Sequence, residues 1–194
     1  MSKKTFFILT ALAVVLAVAF TVLTFIREVK NPPLPVLGQV GNFVLTDANG
    51  EDFPLKRLEG KAWVADFFFT TCGDICPVMS QNMASLSRSF EQLDGLKFVS
   101  ITVNPEFDSP EKLKAYAEQF VKGKNNWYFL TGSRDTIKKL LVEDFKLGDI
   151  NEPIFHSPHF TLMDNKGFIR GYYDGTSKQD IQKLFKDASR LIAK

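Results

Sequence analysis

The chain has 194 residues, with 24 Lys+Arg against 22 Asp+Glu, 45% hydrophobic residues, 19 Phe and two cysteines, which suits one ordinary domain. Four of the basic groups (Lys3, Lys4, Arg27, Lys30) and one acid (Glu28) lie in the first 30 residues, leaving 20 basic and 21 acidic groups in residues 31–194. A nearly neutral domain lacks the electrostatic footprint of a nucleic-acid binder, and its aromatic content excludes a disordered chain.

From Phe6 to Ile26 every residue is apolar or Thr, 21 in a row, enough to cross roughly 30 Å of hydrocarbon at about 1.5 Å per residue. Residues 6–26 are therefore expected to be a transmembrane anchor, and Lys3 and Lys4 before it place residues 1–5 in the cytoplasm. A cleaved signal peptide with Ala17-Val18-Ala19 as its cleavage site is the competing reading, but the hydrophobicity continues to Ile26, where a mature chain should turn polar. No cysteine ends the run, so lipoprotein processing is not expected. Either way the domain is exported, and a bacterial cytoplasmic membrane, with the domain facing the periplasm or cell exterior, fits best. Residues 27–36 include Asn31-Pro32-Pro33-Leu34-Pro35, an extended tether that cannot continue a helix. The domain proper is residues 37–194.

Asn42–Thr46 alternates as a strand does, and Asp47-Ala48-Asn49-Gly50 carries the turn signal of a hairpin. Ala62–Phe69 (AWVADFFF) is a nearly continuous apolar run, as expected of a strand covered on both faces. Beyond Pro77, Met79, Met83, Leu86 and Phe90 recur at helical spacing, which favours core packing over metal ligation for both methionines. Leu96–Val103 reads as a second central strand, and Ser109-Pro110 opens a helix to about Val121. Trp127–Leu130 is a short strand, and Ser133 starts a helix to about Asp144. Phe160–Asp164 and Phe168–Tyr173 flank a hairpin turn at Asn165-Lys166-Gly167. Ser177-x-x-Asp180 is a capping box for the last helix. Strands alternating with helices, closed by an antiparallel hairpin and a helix, predict an α/β fold: a thioredoxin-like mixed sheet flanked by helices, with an N-terminal hairpin behind an N-terminal transmembrane helix.

Cys72 and Cys76 sit between the first central strand and the following helix, in Cys72-Gly73-Asp74-Ile75-Cys76-Pro77. A helix N-terminus favours negative charge, so a thiol there ionises more readily and becomes a better nucleophile and metal ligand. Two such thiols can form a structural disulfide, exchange electrons with another dithiol, or hold a soft metal. On a regular helix the Cβ atoms of residues i and i+4 lie about 5–6 Å apart, against roughly 3.5–4.5 Å in a relaxed disulfide, so the spacing presets no bridge, though Gly73 lets the loop close. Two thiolates are too few for a closed zinc site; with one imidazole they suit copper, while a catalytic zinc site of two Cys and one His is conceivable but has no substrate-side motif to go with it. The available imidazoles are His156 and His159. Strand parity puts His156 with Phe160 and Leu162 and His159 with Thr161 and Met163, which selects His156, although Pro158 interrupts the pattern.

Phe68-Phe69-Thr70-Thr71-Cys72-x-x-x-Cys76-Pro77-x-Met79, then Asn104-Pro105-Glu106-Phe107-Asp108-Ser109-Pro110, then His156 followed by Asp164 and Gly167, resembles the Sco/SenC family from about Leu37 to the C-terminus. The resemblance implies a thioredoxin-like domain that binds one copper, Cu(I) or Cu(II), through Cys72, Cys76 and His156. It further implies a carrier rather than an enzyme, supplying copper to, or reducing the cysteines of, the dinuclear copper centre of cytochrome c oxidase. The expected partners are the copper-receiving oxidase subunit, a thioredoxin-like reductant, and the membrane through residues 6–26. The alternative is a general envelope thiol-disulfide oxidoreductase. Gly73 stands where many members have Pro, and Asn104 where many have Asp. Asp108 is retained and is expected either to support the centre from behind the ligands or to cap its own helix.

Overall fold

The computed structural model describes residues 3–30, 32–93, 95–121, 126–148 and 157–193. The chain divides into two compact units, Met1–Leu34 and Pro35–Lys194. The first is one helix, α1 (Lys3–Lys30), of 28 residues. Its described side chains run unbroken only over residues 11–23, all exposed. Among the described residues no helix is long and apolar enough to cross a membrane.

The second unit is built on an eight-stranded sheet. Its strands are β1 (Gly38–Gln39), β2 (Val44–Asp47), β3 (Asp52–Pro54), β4 (Ala62–Phe68), β5 (Leu96–Thr102), β6 (Trp127–Thr131), β7 (His159–Met163) and β8 (Phe168–Asp174). They lie in the order β1-β8-β7-β4-β5-β6-β2-β3. β4, β5 and β6 are parallel, joined through α2 (Ile75–Ser89) and α3 (Pro110–Phe120), as parallel neighbours require. The remaining pairs are antiparallel. The expected mixed sheet is therefore present. Every residue of β4 is buried, which is why its pattern does not alternate.

The two faces of β4 have different neighbours. Trp63, Ala65 and Phe67 share a core with Val99, Ile101 and Met163 and with Ile137, Leu140, Leu141 and Phe145 on the far side of the sheet. Val64, Asp66 and Phe68 face the other way, where Phe68 meets Tyr116 of α3 at 5.1 Å between ring centroids and Phe98 of β5 meets Phe90 beyond α2 at 6.4 Å. Met79 and Met83 are fully buried, the core role their spacing suggests.

The helix expected from Ser133 to Asp144 is two pieces, α4 (Arg134–Lys139) and a π-helical turn, Leu140–Asp144. The wider turn sets Phe145 edge-on between Trp63 (6.0 Å) and Phe67 (5.0 Å). Phe145→Ala is expected to cost about 3–5 kcal/mol by leaving a cavity there, read as a lowered urea midpoint with unchanged slope.

Two helix caps keep their expected places but bond differently from their sequence readings, and the hairpin turn at Gly167 is as expected. Ser109 is the N-cap of α3 through its backbone, with Pro110 in the first turn, but its hydroxyl makes no bond to the helix backbone. Ser177 caps α5 (Lys178–Ile192) by accepting the Asp180 N–H at 3.3 Å, whereas the Asp180 carboxylate accepts from Asp174 N–H at 2.8 Å rather than closing the box on Ser177. In the β7–β8 hairpin, Gly167 takes a positive φ of 78° and Asp164 accepts the N–H groups of Lys166 and Phe168 and an ion pair from Arg170. Asp164 is thus a turn residue.

Candidate metal centre

Buried β4 ends at Phe68, and the chain turns through Phe69, Thr70 and Thr71 before Cys72, whose N–H donates to the Phe69 carbonyl at 3.2 Å. α2 then begins at Ile75, so Cys72 precedes the helix and Cys76 lies in its first turn. Pro77 follows in the same turn, where its missing N–H removes no helical bond. Both cysteines are buried free thiols, Cys72 at 9% exposure and Cys76 at 1%, so only Cys72 reaches the surface.

The two sulfurs differ electrostatically. Burial pushes the Cys72 thiol up, but hydrogen bonds from the Cys76 thiol and from the backbone N–H groups of Asp74, Cys76 and Ile75 outweigh it and hold Cys72 below its ordinary range. Cys76 is pushed up to about 12 by burial, by its bond to Cys72 and by the negative charges of Cys72 and Asp66; the Phe69 backbone pulls the other way. The helix entrance therefore favours a thiolate on Cys72 while Cys76 keeps the proton it shares with it.

Asp108 is wholly buried and does not cap its helix. Its carboxylate accepts from Thr70 N–H at 3.1 Å, from the Thr70 hydroxyl, and from the Thr102 hydroxyl at 2.5 Å. Thr102 in turn accepts the Asn104 N–H at 3.0 Å. One carboxylate thus fastens the loop after β5 to the turn that delivers Cys72, and Asn104 takes part through its backbone.

His156 lies outside the described residues. His159, the first residue of β7, has Nδ1 at 3.0 Å from Ser157 Oγ and sits opposite Asp174 in the ladder. Among the described residues no group of three or more His, Cys, Asp or Glu is placed to hold a metal ion.

Gly73 needs none of glycine's freedom: its φ is outside the left-handed region, and an added Cβ would meet nothing within 4 Å. Gly73→Ala is accordingly expected to raise stability by about 0.4–1 kcal/mol through the unfolded chain, seen as a higher melting temperature of the reduced protein.

Two polar groups beneath the thiols escaped the sequence reading. Asp66, 1% exposed at the middle of β4, acts electrostatically on Cys76. Tyr116 shares a 2.8 Å hydrogen bond with Ser80, one turn after Cys76. The signal for Asp66 was present: it is the one charged residue in AWVADFFF. Tyr116 left no local signal, because it reaches the site from α3.

The SCO1/SenC family profile matches residues 36–193. The SCO1 protein homolog of Bacillus subtilis (strain 168) is 32% identical over 175 residues, covering 85% of this chain and 89% of that protein. Among solved structures, BsSco, described as a member of the Sco family of cytochrome c oxidase assembly proteins with a disulfide switch, superposes with a TM-score of 0.72 at 28% identity, over 82% of this chain and 97% of that one. Yeast Sco1 with copper bound superposes with a TM-score of 0.63 at 28% identity, over 80% of this chain and 90% of that one. The mixed α/β fold is thus the thioredoxin-like Sco fold.

Proposed function

The chain belongs to the SCO1/SenC family, and from that premise we propose that it is a membrane-anchored copper-binding protein of cytochrome c oxidase assembly. In this reading Cys72, Cys76 and His156 hold one copper ion, and the protein either hands copper to the oxidase's dinuclear copper centre or reduces that centre's cysteines. The copper-receiving oxidase subunit is its partner, and a thioredoxin-like protein returns the thiols to the reduced state. Residues 6–26 form the anchor and residues 27–36 the tether, on the uncharged 21-residue run of the sequence.

The observation that carries the proposal is the pair of free thiols at the entrance of α2, Cys72 just reaching the surface and Cys76 fully buried. Two soft donors without a disulfide fit a soft cation, and a third donor from His156 completes a set that suits copper in either oxidation state. Bound copper would supply the charge that holds both sulfurs as thiolates, with release of the Cys76 proton. Asp108 serves the centre by fixing Thr70, and with it the backbone approach to Cys72. Burial of Cys76 leaves Cys72 as the sulfur that an incoming thiol, disulfide or copper acceptor reaches first.

The imidazole is tested by titrating reduced protein with Cu(I) against a competing chelator and by recording the thiolate–copper absorption of the Cu(II) form. His156→Ala is expected to weaken binding and change the absorption, while His159→Ala, whose ring is engaged by Ser157, leaves both nearly intact. The reverse pattern would reassign the third ligand.

A further inference from the structure

The sheet leaves one stretch of strand edge open. Just before β6, the Asn126 carbonyl accepts the Phe98 N–H of β5 at 2.8 Å. Backbone groups alternate along a strand, so Tyr128 and Leu130 also bond toward β5, and Trp127 and Phe129 turn their N–H and C=O to the opposite side. There β2 pairs only with Thr131 and Leu130, through Thr46 and Asp47. It then leaves through a turn in which the Asn49 and Gly50 N–H groups both donate to Asp47, at 2.8 and 2.9 Å, and returns as β3 on its far side. Among the described residues no strand lies opposite Trp127 or Phe129 on that side, although each is only 3% exposed. Buried backbone N–H and C=O groups are nearly always paired, so this short edge calls for a backbone partner.

Beside the edge lies a groove. A cavity of about 310 Å³ is bounded by Trp127, Tyr128 and Phe129, by the β2–β3 turn, and by Ala117, Glu118 and Val121 on the α3 side. A second, of about 380 Å³, shares Ala48, Asn49, Lys114 and Glu118 with it and extends to Pro110 at the start of α3. The described walls carry an excess of acid. Asp47 is answered by Arg57 at 3.3 Å, which leaves Glu51 on the turn and Glu111 and Glu118 on the helix against Lys114.

We propose that this groove binds an extended segment of a partner protein, bearing lysine or arginine side chains, which adds to β6 as a short strand. Its backbone bonds the open N–H and C=O of Trp127 and the N–H of Phe129, in the place where β2 would continue if it did not turn at Asp47. A helix cannot do this, because its backbone groups are spent on one another. Successive side chains of a strand point to opposite faces, so alternate basic residues of the incoming segment fall on one side, within reach of the wall carboxylates. The groove shares no residue with the thiol site, so the segment's seat depends neither on copper nor on the state of the thiols.

Amide NMR of the reduced, copper-free full chain in an uncharged detergent tests this, with an acetylated hexapeptide of alternating valine and lysine as the probe. The Trp127 and Phe129 amides are expected to shift and to exchange with solvent about tenfold more slowly or better, while the Tyr128 amide, already bonded to β5, changes little. A fully N-methylated form of the peptide keeps the side chains but cannot donate, and should bind about tenfold more weakly or worse. A valine–glutamate peptide should fail likewise. Ala117→Trp fills the groove and should abolish binding. Glu118→Lys, on the exposed wall, should weaken binding with an unchanged thermal melt, which keeps the test sound if the tryptophan variant does not fold. No change at Trp127 and Phe129 under excess peptide, or equal binding of the N-methylated or the glutamate peptide, overturns the proposal.

Discussion

Cys72→Ser and Cys76→Ser are each expected to abolish copper binding by the reduced protein. A four-ligand structural metal site is worth about 10–16 kcal/mol, or roughly 3 kcal/mol per ligand, so loss of one thiolate should weaken binding more than about a hundredfold. The loss is not made good locally. Among the described residues no third His, Cys, Asp or Glu is placed with the pair to hold a metal ion, and Met79 and Met83 are committed to the core at 1% and 0% exposure. The two variants should nevertheless differ in their remaining thiol. With Cys76 gone, Cys72 keeps its backbone N–H donors and should still react readily with an alkylating reagent; with Cys72 gone, buried Cys76 should react slowly. Competition with a Cu(I) chelator measures the first effect and alkylation rates the second. Unchanged copper affinity in either variant would refute the two-thiolate site.

Asp66→Asn should change how stability depends on pH by several kcal/mol. An exposed Asp ionises near pH 4, whereas burial, only partly offset by Ser100, pushes Asp66 up to about 7. The folded state therefore favours the neutral acid. That contribution is fully present below about pH 4 and is lost as pH rises through about 7. A displacement of about three pH units corresponds to on the order of 4 kcal/mol. Asn keeps the shape and never ionises, so its stability relative to the wild type should climb between pH 4 and 7 and then level off. Urea midpoints of both proteins across that range check this, and the difference between them cancels the acid sensitivity of the surface carboxylates. A difference that stays flat would mean that Asp66 ionises in the fold as easily as in the unfolded chain.

Much of this was legible locally. The continuous apolar run of Ala62–Phe68 and the strand at Leu96–Thr102 announced buried neighbours in a sheet, and the helical stripe after Pro77 announced α2. Cys72 and Cys76 were legible because thiols at a strand-to-helix junction are defined by a few consecutive residues and the physics of a helix N-terminus. The π turn at Leu140–Asp144 was not, since what draws Phe145 inward is the space between Trp63 and Phe67, some 80 residues earlier. β1 was missed for a similar reason: two residues, Gly38 and Gln39, become a strand only because β8 offers them an edge.

The roles of Asp108 and Asp66 divide along the same line. Sequence by itself determined that an acid stands before the α3 cap and that another interrupts the apolar β4 run. Only the tertiary structure decided that the first reaches across to Thr70 instead of capping α3, and that the second is buried on the α2–α3 side of the sheet with Ser100 as its fixed partner. Hydrophobic periodicity and helix-end electrostatics are properties of neighbours along the chain, so composition and spacing express them. The state of a buried carboxyl depends on which groups from other strands and helices surround it, and those are brought together only when the sheet forms.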